Sequence, residues 1–254
     1  MVFNFKNKNI LVCGSTYGIG FDIAKKFYES KANVIFTGRT REKIIEIKKN
    51  YKKSFAVECD FSKNTEIENL KTKIKKNFKN LDSIICNIGS GRSKINFMET
   101  HEDWVNIFNI NLMYSVNTIK TLAPLLKNKN GSTIIFISSI CGYESSLAPM
   151  SYSSAKSALN IFAKNLSNLY IKKSIRVNTV SPGNVLFKGS TWDHKLKENK
   201  SKVLKMIEQN VPINRFARPD EISNVVLFLA SDLSSFIVGQ NIIVDGGQTK
   251  CLWK

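Results

Sequence analysis

Asn9-Ile10-Leu11-Val12-Cys13-Gly14-Ser15-Thr16-Tyr17-Gly18-Ile19-Gly20 is the stretch from which the rest of the chain can be read. Residues 9–12 form a short apolar, β-branched run, the mark of a strand. A glycine-punctuated turn follows, and helical periodicity sets in from about Gly18 to Ser30. Glycines serve this turn twice. A tight turn needs positive φ, and a pyrophosphate can approach only a backbone without side chains. The helix that opens here presents free N–H groups and a partial positive charge to phosphates. The spacing is G-x-x-x-G-x-G, not the G-x-G-x-x-G of other dinucleotide folds. Gly14, Ser15, Tyr17, Gly18, Ile19 and Gly20 are therefore candidate cofactor-binding residues.

Outward from this unit, strand and helix patterns alternate. Strands are expected at 33–37, 54–58, 81–86, 132–138, 175–180 and 241–244. Helices are expected at 41–50, from the third strand to about 80, in segments between 101 and 126, at 151–171 and at 220–230. Such alternation implies βαβ units and a doubly wound parallel sheet: a three-layer α/β/α, Rossmann-like fold in a single domain over residues 1–254. Two stretches break the rhythm. Residues 88–100 contain Gly89-Ser90-Gly91-Arg92-Ser93, and residues 183–210 are long and polar and contain Trp192-Asp193-His194. Both follow strands, so both should overlie the crevice at the carboxyl ends. The second, over about 184–210, is the candidate substrate lid.

Composition narrows the class. The chain has 254 residues, 43% of them hydrophobic, enough for a sizeable core. No run reaches the ~18–20 apolar residues of a membrane span, and the N-terminus does not read as a signal peptide. A cytoplasmic location without membrane partners is the expectation. Five cysteines, none at CxxC spacing, argue against a disulfide framework and a zinc site, so no metal is expected. Cys13, Cys59 and Cys86 fall at strand ends, where cysteine usually serves as a small buried apolar residue. The net charge of +18 is mostly lysine scattered along helical stretches, as in Lys71-Thr72-Lys73-Ile74-Lys75-Lys76. Solvated helix faces are favoured over a nucleic-acid patch, which would concentrate charge with interleaved aromatics.

The second strand ends Phe36-Thr37-Gly38-Arg39, with Arg41 close by. A carboxylate here would accept from the ribose 2′-OH of NAD, whereas a guanidinium binds a 2′-phosphate bidentately. NADP(H) is therefore favoured, and NAD(H) stays open. Tyr152 and Lys156 are four residues apart at the start of a helix and share a face. A phenol with a pKa near ~10 is a poor base at neutral pH, and a nearby ammonium lowers that value. Ser139 lies just beyond a strand end, thirteen residues earlier, where its hydroxyl could hold a substrate oxygen.

With these motifs in this order, the chain resembles the short-chain dehydrogenase/reductase family, in particular its 3-oxoacyl-[acyl-carrier-protein] reductase-like members. The resemblance covers nearly the whole chain. Gly14, Gly18 and Gly20 match the cofactor glycines, and Asp60, before Phe61, matches the acidic residue placed near the adenine. Asn87-Ile88-Gly89 resembles the segment after the fourth strand. Asn111, Ser139, Tyr152 and Lys156 match the catalytic tetrad. Arg176–Gly183 resembles the segment flanking the nicotinamide, which adds Pro182, Gly183 and Val185 to the cofactor set, and Asp245-Gly246-Gly247 matches a C-terminal signature. The resemblance implies that Tyr152 exchanges the proton on the substrate oxygen. It implies that Lys156 lowers the phenol pKa and binds the nicotinamide ribose, that Ser139 orients the carbonyl, and that Asn111 holds a relay water. A homo-oligomer, tetramer or dimer, is the family default. The chain departs from the pattern at Cys13 and Ile88, and at Asn184-Val185-Leu186-Phe187, where a threonine is usual.

The implied activity is NAD(P)(H)-dependent transfer of a hydride between nicotinamide and a carbonyl or secondary alcohol. Two substrate classes stay open. One is a 3-oxoacyl thioester on acyl carrier protein, which Lys129, Lys172 and Lys173 could help dock. The other is a sugar or small polar ketone, suited to the polar lid. The competing reading is a non-catalytic dinucleotide sensor or nucleic-acid-binding protein on the same fold, against which the intact tetrad argues.

Overall fold

Every side chain of the first strand is apolar from Ile10 to Cys13, and all four are fully buried. A strand covered on both faces requires this. In the computed structural model, residues 3–94, 97–127, 131–144 and 148–250 are described. Lys129 and Cys251 lie outside them. The strands are β1 (Asn9–Cys13), β2 (Asn33–Gly38), β3 (Phe55–Glu58), β4 (Ser83–Cys86), β5 (Ser132–Ile137), β6 (Ile175–Pro182) and β7 (Asn241–Val244). They form one parallel sheet in the order β3-β2-β1-β4-β5-β6-β7. β1 pairs with β2 on one side and β4 on the other, so the strand order reverses between β1 and β4. In a doubly wound sheet that reversal opens a crevice at the carboxyl ends.

The helices are α1 (Gly18–Glu29), α2 (Arg41–Asn50), α3 (Asn64–Phe78), α4 (His101–Phe108), α5 (Tyr114–Leu122), α6 (Met150–Tyr170), α7 (Thr191–Glu198), α8 (Lys200–Asn210) and α9 (Pro219–Ala230). Two layers follow from the period-2 alternation of the strands. Leu11, Ile84, Ile134 and Phe136 pack with Leu70 of α3, Leu122 of α5 and Leu159 of α6. Ile10, Val12, Ile85 and Ile135 pack with Phe27 of α1, Ile47 of α2 and Val226 of α9. Several surface lysines pair within their own helix or turn, as in Lys43–Glu46, Lys63–Glu66 and Lys71–Glu68, consistent with solvated helix faces. No helix among the described residues is long and apolar enough to cross a membrane.

The segment expected to be irregular over 183–210 is instead largely helical. Ser190 accepts from the Asp193 amide at 3.1 Å to start α7. Asn199 accepts from the Lys202 amide at 3.0 Å to start α8. Such caps satisfy orphan N–H groups, and α8 is anchored by Val203 and Ile207, one turn apart and both buried. Between α4 and α5 the chain forms a π-turn at Asn109–Met113, which turns Asn111 into the interior. Extra-residue turns of this kind are frequent at functional sites.

Candidate active site

The loop after β1 has the conformation its glycines predict. Gly14 and Gly18 have φ of +68° and +57°. Gly20 is needed for a different reason: a Cβ there would overlap the Gly14 carbonyl and the Asn87 amide. Asn87, just beyond β4, donates to the Gly14 carbonyl at 3.0 Å and so ties the two carboxyl ends that flank the crevice. The Ser15 hydroxyl points inward, donating to the Val12 carbonyl at 2.8 Å and accepting from the Thr37 amide at 2.8 Å. It fixes the turn against β2. No side chain caps α1 at Tyr17, so its first N–H groups face the crevice uncapped.

At the end of β2, Gly38 leaves no room for a Cβ beside Thr16, and Arg39 is exposed. Asp60 follows β3. Burial pushes its carboxyl up, but bonds from the Ser62 amide and hydroxyl, with the charges of Lys63 and Arg39, hold it below the usual carboxylate range. Phe61 packs into the core rather than toward the crevice. Ile19 and Val185 likewise lie against the core. The Gly183 amide donates to the Val244 carbonyl at 3.0 Å, and Gly183 abuts Asp245, which places Pro182-Gly183 and the Asp245-Gly246-Gly247 turn side by side.

The candidate catalytic side chains meet one strand further along. Ser139 follows β5, is buried, and its hydroxyl accepts from the Cys141 amide at 3.2 Å. It is near enough to the Tyr152 phenol to draw that group's pKa down. Lys156, one turn after Tyr152 on α6, is buried, and its Nζ lies 5.9 Å from the Tyr152 ring centroid. That Nζ donates to the Ile137 carbonyl at 3.1 Å. Ser157 and Asn160 donate to the Gly142 carbonyl at 2.8 Å and 3.0 Å and fasten α6 to the turn that carries Ser139. Three bonds hold Asn111: its Nδ2 donates to the Ser90 and Ile107 carbonyls, and its Oδ1 accepts from the Ser90 amide, leaving one lone pair. Gly89 faces both groups, since a Cβ there would sit 2.9 Å from Asn111 Oδ1 and 2.9 Å from Lys156 Nζ.

Burial pulls the Lys156 ammonium down to about 8. Burial also pushes the Tyr152 phenol up, aided by Cys141, and only partly opposed by Ser139. The expected lowering of the phenol by its lysine is absent in the protein alone: Ser139, not Lys156, is what draws it down. Both groups are driven toward their neutral forms. At neutral pH Tyr152 is a phenol with a proton to give.

The sequence-derived residues fall into three groups. Ser139, Tyr152, Lys156, Asn111 and Gly89 converge. Gly14, Tyr17, Gly18, Gly20, Arg39, Asn87 and Asp60 line the adjoining strand ends. Ser15, Ile19, Phe61 and Val185 support that wall from the interior. Lys172 and Lys173 lie past the far end of α6, about 30 Å from Tyr152 by helix rise, where only a bulky partner on the surface would meet them. Three contacts had no sequence signal. The Phe187 ring covers Gly18 and packs edge-on to Tyr17 at 5.6 Å. Arg92 reaches across to the Gly189 carbonyl and His194, each at 3.4 Å. Glu99 bonds to Ser93 and Ser151. Cys13, Cys59 and Cys86 are buried, and burial pushes the Cys59 thiol up to about 12, in keeping with an apolar role. Among the described residues there is no cluster suited to a metal.

These residues suit a dinucleotide. The glycine turn and the uncapped helix start lie at the end of β1, and Gly89 brings bare backbone up to Lys156. A family model described as enoyl-(acyl carrier protein) reductase matches residues 14–249. The chain belongs to the short-chain dehydrogenase/reductase family and is an NAD(P)-dependent oxidoreductase. It is 35% identical over 249 residues to the 3-oxoacyl-[acyl-carrier-protein] reductase FabG of Chlamydia trachomatis, covering 95% of this chain and 97% of that one. The L-sorbose reductase of Gluconobacter frateurii, solved with NADPH and L-sorbose, superposes with a TM-score of 0.91 at 27% identity, covering 99% and 100% of the two chains. A 7α-hydroxysteroid dehydrogenase solved with NADH superposes at 0.87 and 25% identity, covering 96% and 95%. Family membership leaves no support for the non-catalytic alternative.

Proposed function

We propose that the chain reduces the ketone of a 3-oxoacyl thioester with NADPH, giving the 3-hydroxyacyl thioester. The observation that carries this reading is the convergence of Ser139, Tyr152 and Lys156 beside Gly89, at the carboxyl edge of the sheet. When bound, the dinucleotide supplies the hydride that goes to the carbonyl carbon. Ser139 donates to the carbonyl oxygen and orients it. Tyr152, which burial keeps protonated at neutral pH, delivers its proton to that oxygen. Lys156 holds the nicotinamide ribose and restores the tyrosine proton through a water held at Asn111. Gly14, Gly18 and Gly20 seat the pyrophosphate, and Pro182-Gly183 borders the nicotinamide. Residues 184–210 act as the substrate lid of one domain, and the working form is a cytoplasmic homo-oligomer, dimer or tetramer. Full-length likeness to a 3-oxoacyl reductase supports the thioester. Arg92 and His194 at the mouth suit a polar ketone, the second reading.

The test follows NADPH absorbance with 3-oxoacyl thioesters and with ketoses. A kcat/KM at least tenfold higher for the thioester is expected. The reverse order transfers the assignment to polar ketones, and no NADPH-dependent turnover of either class refutes both.

The cofactor preference rests on Arg39. Arg39→Ala removes the bidentate partner of a 2′-phosphate while leaving the exposed strand end otherwise intact. KM for NADPH should rise about 10- to 100-fold, in line with ~1.5–3 kcal/mol for a hydrogen bond to a charged group. KM for NADH should change less than threefold. Equal changes for the two cofactors, measured side by side, would contradict this role.

A further inference from the structure

We infer that Glu99 is a positioning residue for the helix that carries Tyr152 and Lys156. The inference rests on the reading above for what that helix does, but its structural part stands apart from it. α6 begins behind Pro149, whose side chain has no acceptor, and no residue at that position caps the helix. The first N–H groups of a helix have no partner within it. Glu99, 52 residues earlier in the loop after β4, supplies one: its Oε2 accepts from the Ser151 amide at 3.2 Å. Its Oε1 accepts from the Ser151 hydroxyl and, at 2.7 Å, from the Ser93 hydroxyl. The carboxylate thus makes a cap from outside the local sequence, and its charge complements the positive end of the helix.

Glu99 is itself held. The next residue, Thr100, opens α4 with a reciprocal cap in which the Thr100 amide donates to Asp103 at 2.9 Å and the Asp103 amide donates to the Thr100 hydroxyl at 3.2 Å. The fixed start of one helix is thereby transmitted to the start of another. Ser151 is fully buried and immediately precedes Tyr152. Gly91, from the same loop, lies against the Tyr152 ring, where a Cβ would come 3.7 Å from it. Lys156 sits one turn deeper and has its own anchor at the Ile137 carbonyl. Loss of Glu99 should therefore displace Tyr152 from Ser139 more than it displaces Lys156, slowing the reaction while sparing the cofactor residues at Gly14–Gly20 and Arg39. Small misplacements of a reacting group cost up to ~100-fold.

The experiment has two arms. In the protein without added cofactor, amide hydrogen exchange is followed by NMR. Glu99→Ala should speed exchange at Ser151 about tenfold, while Leu159, deep in α6, is unchanged. In steady-state kinetics, kcat should fall about tenfold with KM for NADPH within twofold. Glu99→Gln, which keeps an acceptor for the Ser151 amide, should recover at least half of the lost rate. In the Ser151→Ala background, Glu99→Ala should cost less than in the wild type, because the two share one interaction. If Glu99→Ala does not fold, Glu99→Asp, whose shorter stem withdraws the carboxylate, takes its place. Unchanged exchange at Ser151, an unchanged kcat, or effects of Glu99 and Ser151 that simply multiply would each overturn the inference. A wild-type protein inactive on every ketone instead defeats the proposed reaction, and the exchange arm still judges the brace.

Discussion

Tyr152→Phe is expected to lower turnover by about three orders of magnitude, within the ~10²–10⁴-fold range of a positioned general acid. The substitution is well controlled. Phenylalanine keeps the ring that faces Gly91 and leaves the backbone cap at Ser151 in place. What disappears is one hydroxyl and the influence of Ser139 on it. Ser139 is not orphaned, because it still accepts from the Cys141 amide. The melting point should therefore move little, and the dissociation constant for NADPH, read from its fluorescence, should stay within about twofold, as for a group that contributes to the transition state alone. Loss of rate without loss of binding is the signature of a proton donor. A variant that keeps more than a tenth of wild-type turnover would show that the proton comes from elsewhere.

How far the sequence reveals such a site depends on the kind of contact. Tyr152 and Lys156 share a helix face at four-residue spacing, and Ser139 follows a strand whose β-branched run is plain, so all three can be located from the chain. The glycines of the first turn are legible because positive φ and close approach admit little else. β7 falls where it is expected, and so does α2. Helices α7 and α8 are hidden for a physical reason: α7 buries no residue fully, and α8 buries only Val203 and Ile207, so neither carries a broad apolar stripe. The π-turn around Asn111 has no periodic signature either. Long-range polar contacts leave no pattern at all. Glu99 meets Ser151, and Arg92 meets His194, only after the sheet has assembled.

Lys156→Met should nearly abolish turnover and yet stabilise the protein at neutral pH. Burial draws the ammonium from its ordinary 10.5 down to about 8, so at pH 7 the folded chain carries a charge that the unfolded chain solvates more cheaply. A displacement of that size corresponds to about 3 kcal/mol. Methionine has a similar length and no charge. It gives up the bond to the Ile137 carbonyl, worth about 1 kcal/mol net. The balance is a gain of about 2 kcal/mol, or roughly 4–8 °C in melting point for a chain of this size. The sign reverses the usual expectation for a lysine with a partner. Because the folded pKa is depressed, the unfolded state binds more protons between pH 8 and 10.5, and wild-type stability from this group rises with pH across that window. The advantage of the methionine variant should therefore be largest at or below pH 7 and shrink steadily toward pH 10. Melting curves of both proteins at pH 6.5, 8 and 9.5 read this directly, and titrations elsewhere in the molecule cancel in the difference. A constant difference, or one that grows with pH, would mean that the ammonium is not held at a cost. The protein would then tolerate Lys156 for packing alone, whereas a shrinking difference with turnover lost shows stability given up to keep an amine beside Tyr152.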